Sequence, residues 1–452
     1  MRGVDAAWLT LHTAVNPMVI TAVLRFAEPL SADRLRRLVR ERLLAPYPGF
    51  ARRAVPPRSV FDEPVWEDAA VDLDHHVVPV QLLGPGDDAA LLSVVGDLMS
   101  TPVDLTRPPW QLHLVEGYGR GCAVVARLHH CIADGMALAR VLLDLTDDVG
   151  PVPVDSAVVA SVPGSTVVGR GSAVPVRRAL EAAVEALKVG GVVEGAGGPA
   201  RRALAAVRFG VTVAARVLRI VLLPPDPRTA LSGRLGARKH AAWTRPVDLD
   251  EVKRAAKRLD ASVNDVLLAA TAGALRRYLL ARGGRARDVR VFVPVDLRRR
   301  GEPVGRDLGN RFGVVVVRLP VGEPDADERV RVVGARVRAL RASAEAAAAY
   351  LVVNILAALP AWARTVAMRI LGAKVSAIVT NVPGPSTPVR MAGALASNVV
   401  FWVPQTGSVG VGVSIFSYAG SVTVGVAADA GIVPDPTEIA RHVEAELAAL
   451  IG

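Results

Sequence analysis

The sequence predicts a globular α/β protein with more than one domain, and three observations support this prediction. The chain has 452 residues, whereas a single domain usually has about 100–200. Hydrophobic residues make up 51% of the sequence and charged residues 21%, which is typical of a folded chain rather than a disordered one. Short apolar stretches typical of strands alternate with stretches that carry helix-capping residues.

We predict a first α/β domain over residues 1–150. Ser31 precedes a stretch with an acidic first turn, and residues 136–145 follow a glycine with helical spacing, so both patterns predict helices. Residues 111–115 and 122–128 are short and apolar, which predicts two strands.

Residues 151–235 are predicted to connect two domains through amphipathic helices, because Pro, Gly and Ser interrupt an Ala-, Val- and Arg-rich stretch. Within residues 203–223, a helix of about 3.6 residues per turn would place Arg208, Arg216 and Arg219 within about 80°, beside a broad apolar face. Such a helix either lies on an anionic membrane surface or packs between domains. Its charges disfavour a membrane-spanning helix, which needs about 20 mostly apolar residues.

A second α/β domain is predicted over residues 236–452. Asp250 and Ser262 are expected to cap two helices, and Asp435-Pro436-Thr437-Glu438 to open the last one. The predicted strands are residues 289–295, 314–319, 377–379 and 399–403, with a hairpin over residues 409–427 that turns at Tyr418-Ala419-Gly420.

Charge and cysteine content narrow the functional class. The chain has 54 basic and 43 acidic residues, a net charge of +11, and the basic excess is spread along the sequence. This spread argues against a nucleic-acid partner and favours an anionic ligand or membrane surface. Cys122 and Cys131 are the only cysteines, so a reducing cytoplasm is the simplest localisation.

The string His129-His130-Cys131-Ile132-Ala133-Asp134-Gly135 is the sharpest chemical feature. It follows a predicted strand and precedes a predicted helix. Neighbouring strand residues point to opposite faces, so we expect one histidine to face a substrate and the other to pack. A neutral imidazole with a pKa of about 6.5 is suited to accept a proton from a hydroxyl or thiol at neutral pH. The string therefore predicts a general base.

The remaining residues of this string are expected to support the base. Asp134 would hold the loop by pairing with an arginine, and Gly135 would leave space and permit unusual backbone angles. The second His-His dipeptide, residues 75–76, lacks a following Asp-Gly and is interpreted as structural. No metal site is expected, because three consecutive His and Cys residues do not converge on one ion.

The histidine string resembles that of the HHxxxDG acyltransferases, which have the chloramphenicol acetyltransferase fold. The whole chain is similar to one branch of them, the bacterial wax ester synthase/diacylglycerol acyltransferases. Each matching segment alone is weak, whereas their common order and spacing are specific. Besides the histidine string, these segments are Asp5-Ala6-Ala7-Trp8-Leu9, Asn16-Pro17-Met18, Arg107-Pro108-Pro109-Trp110-Gln111-Leu112, Val263-Asn264-Asp265-Val266, Val293-Pro294-Val295-Asp296-Leu297-Arg298, Leu308-Gly309-Asn310, Thr380-Asn381-Val382-Pro383-Gly384-Pro385 and Ser417-Tyr418-Ala419-Gly420.

The resemblance implies two chloramphenicol acetyltransferase-like domains with a channel between them. It implies an O-acyltransferase that moves a fatty acyl group from acyl-CoA to the hydroxyl of diacylglycerol or a long-chain alcohol. The resemblance also implies that His130 is the general base of this reaction. Acyl-CoA is then a co-substrate, and no further cofactor is expected. Because triacylglycerol and wax esters are insoluble, we expect a peripheral protein at the inner face of the membrane or at lipid droplets.

Four further residues are candidates for supporting the site. Asn264 and Asp265 either shape the site, as the resemblance implies, or only begin a helix, where aspartate is favoured in the first turn. Arg298 ends a predicted strand and is either the partner of Asp134 or part of a solvated run of arginines. Asn381 lies in a turn that the resemblance places near the channel.

Two alternative functions stay open. A condensation-type acyltransferase of natural-product or complex-lipid assembly usually takes acyl groups from carrier-protein thioesters, and no carrier domain is recognised in this sequence. A catalytically silent lipid-binding relative would be expected to have lost His130 or Asp134, and both residues are present.

Overall fold

The computed structural model of the protein describes most of the chain. The described residues are 1, 3–56, 64–147, 208, 211–212, 214–215, 218–296, 308–310, 312–341, 351–356 and 359–452. The predicted connection over residues 151–235 therefore lies largely outside the described residues.

The first 147 residues alternate between helices and strands. The helices are α1 (Gly3–Leu11), α2 (Ala32–Val39), α3 (Leu73–His76), α4 (Asp88–Ser100) and α5 (Gly135–Asp144), with a π-helical turn (Arg40–Leu44) and a 3-10 turn (Pro48–Ala51) after α2. The strands are β1 (Val19–Phe26), β2 (Arg52–Val55), β3 (Val65–Asp68), β4 (Val77–Gln81), β5 (Trp110–Tyr118) and β6 (Gly121–His129).

The described residues from 218 onward form a second set of elements. The helices are α6 (Leu249–Arg258), α7 (Val263–Ala281), α8 (Ala326–Arg341), α9 (Ala361–Gly372) and α10 (Thr437–Ile451); residues 218–222 and 351–356 are also helical. The strands are β7 (Lys239–Trp243), β8 (Val247–Asp248), β9 (Val289–Asp296), β10 (Phe312–Leu319), β11 (Ala377–Pro383), β12 (Arg390–Met391), β13 (Ala394–Trp402), β14 (Val411–Tyr418) and β15 (Ser421–Asp429).

Two large mixed sheets form the framework. The six-stranded sheet has the order β12-β13-β1-β6-β5-β4, and the seven-stranded sheet has the order β10-β9-β11-β14-β15-β7, with β8 paired to β15. Two strands of the predicted second domain, β12 and β13, thus complete the sheet that carries the histidine string. β1 lies between β13 and β6 and is mostly buried, so its sequence is a nearly continuous apolar run.

Three apolar cores stabilise this arrangement. One lies between the seven-stranded sheet and α6, α7, α8 and α10, and it includes many residues of α7, which is buried along most of its length. A second packs α2 and α5 on one face of the six-stranded sheet. A third lies on the other face of that sheet, where α4 meets β7. The two halves therefore share buried surface next to the histidine strand.

The structure confirms most predicted elements and corrects one cap. Ser262 caps α7 in a capping box with Asp265, as expected from the sequence at that site. The prediction that Asp250 caps α6 is wrong, because the cap is Asp248, whose side chain accepts the backbone N–H of Asp250 at 2.7 Å and of Glu251 at 3.1 Å. None of the helices in the described part of the chain is long and apolar enough to cross a membrane.

Candidate active site

The histidine string spans the junction between β6 and α5. His129 is the last residue of β6, and Asp134 is the residue that caps α5. The Asp134 Oδ1 atom accepts a hydrogen bond from the Ala137 backbone N–H at 2.9 Å. Ala133 forms a β-bridge with Gly309, which fixes the middle of the loop to a distant part of the chain. The loop is therefore held at both ends and at its centre.

The His129 side chain is fully buried and is held by neighbouring groups. Its Nδ1 atom accepts the Cys131 backbone N–H at 3.2 Å, and its Nε2 atom lies 3.2 Å from Nδ1 of His12. Burial lowers the pKa of His129 well below its usual value, and the neighbouring His12 and His130 act in the same direction. His129 therefore has the surroundings of a neutral packing residue.

The His130 ring lies between aromatic side chains. It stacks on Trp8 with a centroid separation of 4.2 Å and an interplanar angle of 18°, and it lies 5.7 Å from Phe312. Within the described chain, the buried Nδ1 atom has no hydrogen-bond partner. Burial lowers the pKa of His130, while the Asp134 charge acts in the opposite direction. At neutral pH the imidazole is thus neutral and keeps a nitrogen lone pair that can accept a proton.

The backbone of His130 is fixed by two other segments of the chain. Its N–H donates to the Met18 carbonyl at 2.8 Å, and its own carbonyl accepts from Asn310 Nδ2 at 2.9 Å. The Asp5 carboxylate accepts both the backbone N–H of Asn310, at 3.1 Å, and its Nδ2, at 2.7 Å. Asp5 therefore orients Asn310, and Asn310 in turn positions His130.

A large apolar cavity opens beside His130. About 1490 Å³ of space free of protein atoms lies within it and at its open mouth. Most of its lining is aliphatic or aromatic and comes from both halves of the chain, including Val4, Trp8, Leu11, Met136, Ile220, Phe292, Phe312, Val314, Val316, Val352, Leu356, Met368, Leu371, Ile378, Val382, Phe401 and Val403. Such a wall suits a long hydrocarbon chain.

Few polar side chains reach this cavity. Among the described residues, they are His130, Asp134, Arg364, Thr380, Asn381 and Thr406. Arg364 is buried and donates to the carbonyls of Leu356, at 3.0 Å, and Leu359, at 2.8 Å, and to Thr10 Oγ1 at 2.8 Å. These bonds tie α9 to α1 and to the preceding helical segment. Four of these six residues lie on the histidine loop or on β11.

The structure describes the positions of three of the four supporting residues predicted from the sequence. Asn381 lines the cavity together with His130. Asn264 and Asp265 are buried at the start of α7, where Asp265 takes part in the capping box, and neither is among the residues that line the cavity. Arg298 lies outside the described residues, and its pairing with Asp134 stays a prediction.

Gly135 lines the cavity, but the expectation of an unusual backbone angle is wrong. Its φ is not among the positive values of the described glycines. A Cβ atom at this position would meet Val382 Cγ2 at 3.6 Å, an ordinary van der Waals distance. The residue begins α5 with helical geometry, and a Cβ atom fits beside Val382, so neither the backbone conformation nor a close contact in the described structure requires glycine here.

Cys131 directly follows His130 but is not activated as a nucleophile. Burial raises the pKa of Cys131 well above its usual value, which keeps the thiol protonated. Among the described residues, no cluster of His, Cys, Asp and Glu is arranged to hold a metal ion. The groups present suit proton transfer by a neutral imidazole.

Sequence reasoning missed the residues that hold His130 in place. Asp5, Trp8, Met18 and Asn310 lie in segments that carry the family resemblance, but their roles depend on contacts across up to 305 positions of sequence. Local spacing does not reveal such contacts. The only indication in the sequence was that these residues lie in segments that resemble the family.

Comparisons with known proteins agree with this geometry. Residues 1–267 match the family model of the wax ester synthase/diacylglycerol acyltransferase catalytic domain, and residues 308–451 match that of the WS/DGAT C-terminal domain. A Mycobacterium tuberculosis protein assigned as a diacylglycerol O-acyltransferase is 30% identical over 398 residues, covering 85% of this chain and 81% of its own. Another from the same species is 28% identical over 398 residues, covering 86% and 81%.

Solved structures show the same fold. A wax ester synthase/diacylglycerol acyltransferase from Marinobacter aquaeolei VT8 superposes with a TM-score of 0.67 at 22% identity, covering 99% of this chain and 97% of its own. The first condensation domain of the calcium-dependent antibiotic synthetase superposes with a TM-score of 0.60 at 16% identity, covering 100% and 95%. The architecture is therefore the two-domain chloramphenicol acetyltransferase-like fold.

Proposed function

Because the chain belongs to the wax ester synthase/diacylglycerol acyltransferase family, we infer that it is an O-acyltransferase acting on the hydroxyl of diacylglycerol or of an alcohol. The observation that carries this function is the neutral, buried His130 ring beside a large apolar cavity. The aliphatic lining supports long hydrocarbon chains as the substrate class. A condensation reaction on carrier-bound substrates has weaker support, because both family models are of the lipid-acylating branch.

The donor in this proposal is acyl-CoA, with no further cofactor. His130 takes the proton from the acceptor hydroxyl as the oxygen attacks the thioester carbonyl carbon. The resulting tetrahedral intermediate collapses with cleavage of the C–S bond, and the leaving thiolate takes the proton from the imidazolium. No covalent acyl-enzyme forms, so no nucleophilic side chain is required. The high pKa that burial gives Cys131 is compatible with this route.

Asp134 is proposed to stabilise the histidine loop in two ways. Its side chain caps α5, and its negative charge favours the imidazolium that forms on His130 during proton transfer. In addition, an ion pair with Arg298 would fix the Asp134 carboxylate. Thr380 and Asn381 line the same cavity and are candidates to hydrogen-bond the reacting acyl group.

The enzyme is further proposed to act as a peripheral protein at a lipid surface. Within the predicted amphipathic stretch, Val211, Leu218, Val221 and Leu222 are all more than half exposed, and Arg219 is also exposed. The exposure of these side chains supports contact with a lipid surface.

A direct assay tests the proposed function. Purified protein is incubated with radiolabelled palmitoyl-CoA and either dioleoylglycerol or hexadecanol, and the products are separated by thin-layer chromatography. We expect triacylglycerol or wax ester together with stoichiometric free CoA. Release of CoA without labelled ester would indicate a thioesterase and would contradict the proposal.

A further inference from the structure

The outward face of α9 is unusually apolar. Trp362 is 70% exposed, Val366 49% and Ile370 52%, and their spacing of four residues places them on one stripe of the helix. The solvent-facing side of a helix is ordinarily polar. A contiguous exposed apolar patch of this kind marks an interaction surface.

The opposite face of α9 forms part of the cavity wall. Arg364, Met368 and Leu371 all line the cavity beside His130. The helix therefore presents apolar groups in both directions, toward the cavity and toward the exterior. Any partner that covers its outer face lies one helix diameter, about 10–12 Å, from the cavity.

Residues 218–222 repeat this two-sided arrangement. Leu218 is 56% exposed and Leu222 is 70% exposed, whereas Ile220 lines the cavity. The Lys374 ammonium donates to the carbonyls of Val221 and Leu223, both at 2.6 Å, just beyond the end of α9. The two helical segments are thus joined at one end. We call Trp362, Val366, Ile370, Leu218 and Leu222 together the outer apolar face.

The charged side chains on the two helical segments that carry this face are all arginine. Arg369 is exposed and lies about 20° from Trp362 on the helical wheel, and Arg219 is exposed beside Leu218. The sequence has no Asp or Glu from residue 346 to residue 428 or from residue 195 to residue 225. Exposed Trp and aliphatic side chains flanked by arginine are typical of helices that lie in the headgroup region of an anionic bilayer.

We propose that the outer apolar face docks on an anionic phospholipid bilayer, so that the acceptor lipid passes from the leaflet into the cavity between α9 and residues 218–222. This proposal rests on the proposed acyltransferase function. It explains why both cavity-wall helices are apolar on both sides. A lipid that enters this way keeps its hydrocarbon chains out of water. Exposing these chains to water would cost free energy in proportion to their length.

The test uses full-length protein and vesicles of phosphatidylcholine and phosphatidylglycerol in a 7:3 ratio. We compare wild type, the variant Trp362→Ser/Val366→Ser/Ile370→Ser, and the control Val65→Ser/Leu83→Ser, which replaces exposed apolar residues of other elements. Wild type and control should float with the vesicles, and the triple variant should float at least tenfold less. Brominated lipid should quench the fluorescence of wild type more strongly than that of Trp362→Phe.

Activity measurements separate docking from chemistry. The triple variant should acylate vesicle-borne dioleoylglycerol at least tenfold more slowly than wild type, but acylate dissolved dioctanoylglycerol at the same rate. Equal flotation of the triple variant and wild type would overturn the docking proposal. A wild-type dimer that the triple variant dissociates would also overturn it, because a second copy would then cover the face. Wild-type inactivity toward both dissolved dioctanoylglycerol and dissolved octanol would instead contradict the acyltransferase function.

Discussion

The chain contains the dipeptide His-His twice, and the two copies occupy different chemical surroundings. In the first copy, His76 is fully buried, stacks on Trp110 at 4.3 Å, and places Nδ1 2.8 Å from the Trp110 carbonyl. In the second copy, His130 is also buried and stacks on a tryptophan, Trp8, at 4.2 Å. One ring nitrogen of each histidine, Nε2 of His76 and Nδ1 of His130, has no hydrogen-bond partner in the described chain.

The difference lies in what each ring faces. His76 is the last residue of α3, packs on Trp110 of β5 and is not among the cavity-lining residues, whereas His130 lines an apolar cavity whose walls come from both halves of the protein. Burial lowers the pKa of both side chains. A low pKa and an aromatic neighbour therefore do not distinguish a candidate base from a structural histidine. The feature that distinguishes His130 from His76 is its access to the cavity.

The largest expected effect comes from removing each histidine in turn. His130→Ala should lower kcat by about 10²–10⁴-fold, because the general base is lost. His76→Ala should keep kcat within about a factor of three and lower the free energy of unfolding by roughly 1–3 kcal/mol, because a buried polar contact is lost. Steady-state kinetics and urea denaturation measure both changes. More than a tenth of wild-type activity in His130→Ala would refute the assignment of the base.

The second prediction concerns the carboxylate after His130. Asp134→Asn keeps an acceptor for the Ala137 N–H but removes the charge. If Asp134 and Arg298 form a buried ion pair, the free energy of unfolding should fall by about 3–5 kcal/mol, since removing one partner of such a pair is strongly destabilising. The matched control is Asp248→Asn, which changes the exposed cap of α6 and should have little effect. Equal stability of the two variants in urea would exclude the pairing.

A smaller effect is expected from the residue that positions the His130 backbone. Asn310→Ala removes hydrogen bonds to Asp5 and to the His130 carbonyl, and should reduce kcat about tenfold with little change in KM. The free energy of unfolding should fall by about 1–3 kcal/mol. Asn398→Ala removes a buried asparagine that bonds Thr423 and serves as control. The kcat of Asn398→Ala should equal that of wild type. A similar loss of kcat in both variants would show that Asn310 contributes only to stability.

The smallest effect concerns pH. Because the pKa of His130 is lowered from about 6.5, the neutral base should persist below pH 6.5, and kcat/KM should fall only at more acidic pH. Stability should also decrease below pH 6.5, since the unfolded chain binds protons before the folded one. His76→Phe should weaken this loss of stability without moving the acid limb of kcat/KM. An acid limb above pH 6.5 would show that the pKa of the base is raised.

Much of the local structure could be predicted from the sequence. The Ser262 cap, the β14–β15 hairpin with positive φ at Ala419 and Gly420, and the strand before His129 all depend on neighbouring residues. The cap of α6 was misplaced by two positions, because two aspartates close together compete for the same exposed backbone N–H groups. The neighbouring residues therefore indicate that a helix begins here, but they do not identify which aspartate caps it.

The sequence by itself determined the α/β class, the family and the histidine string, because these depend on composition, on periodicity and on the order of short segments along the chain. Only the tertiary structure decided that Asp5 and Asn310 hold His130, that β13 completes its sheet, and that α9 separates the cavity from an exposed apolar face. The physical reason is that each of these contacts joins residues far apart in sequence, whose proximity follows from the packing of whole elements rather than from local preference.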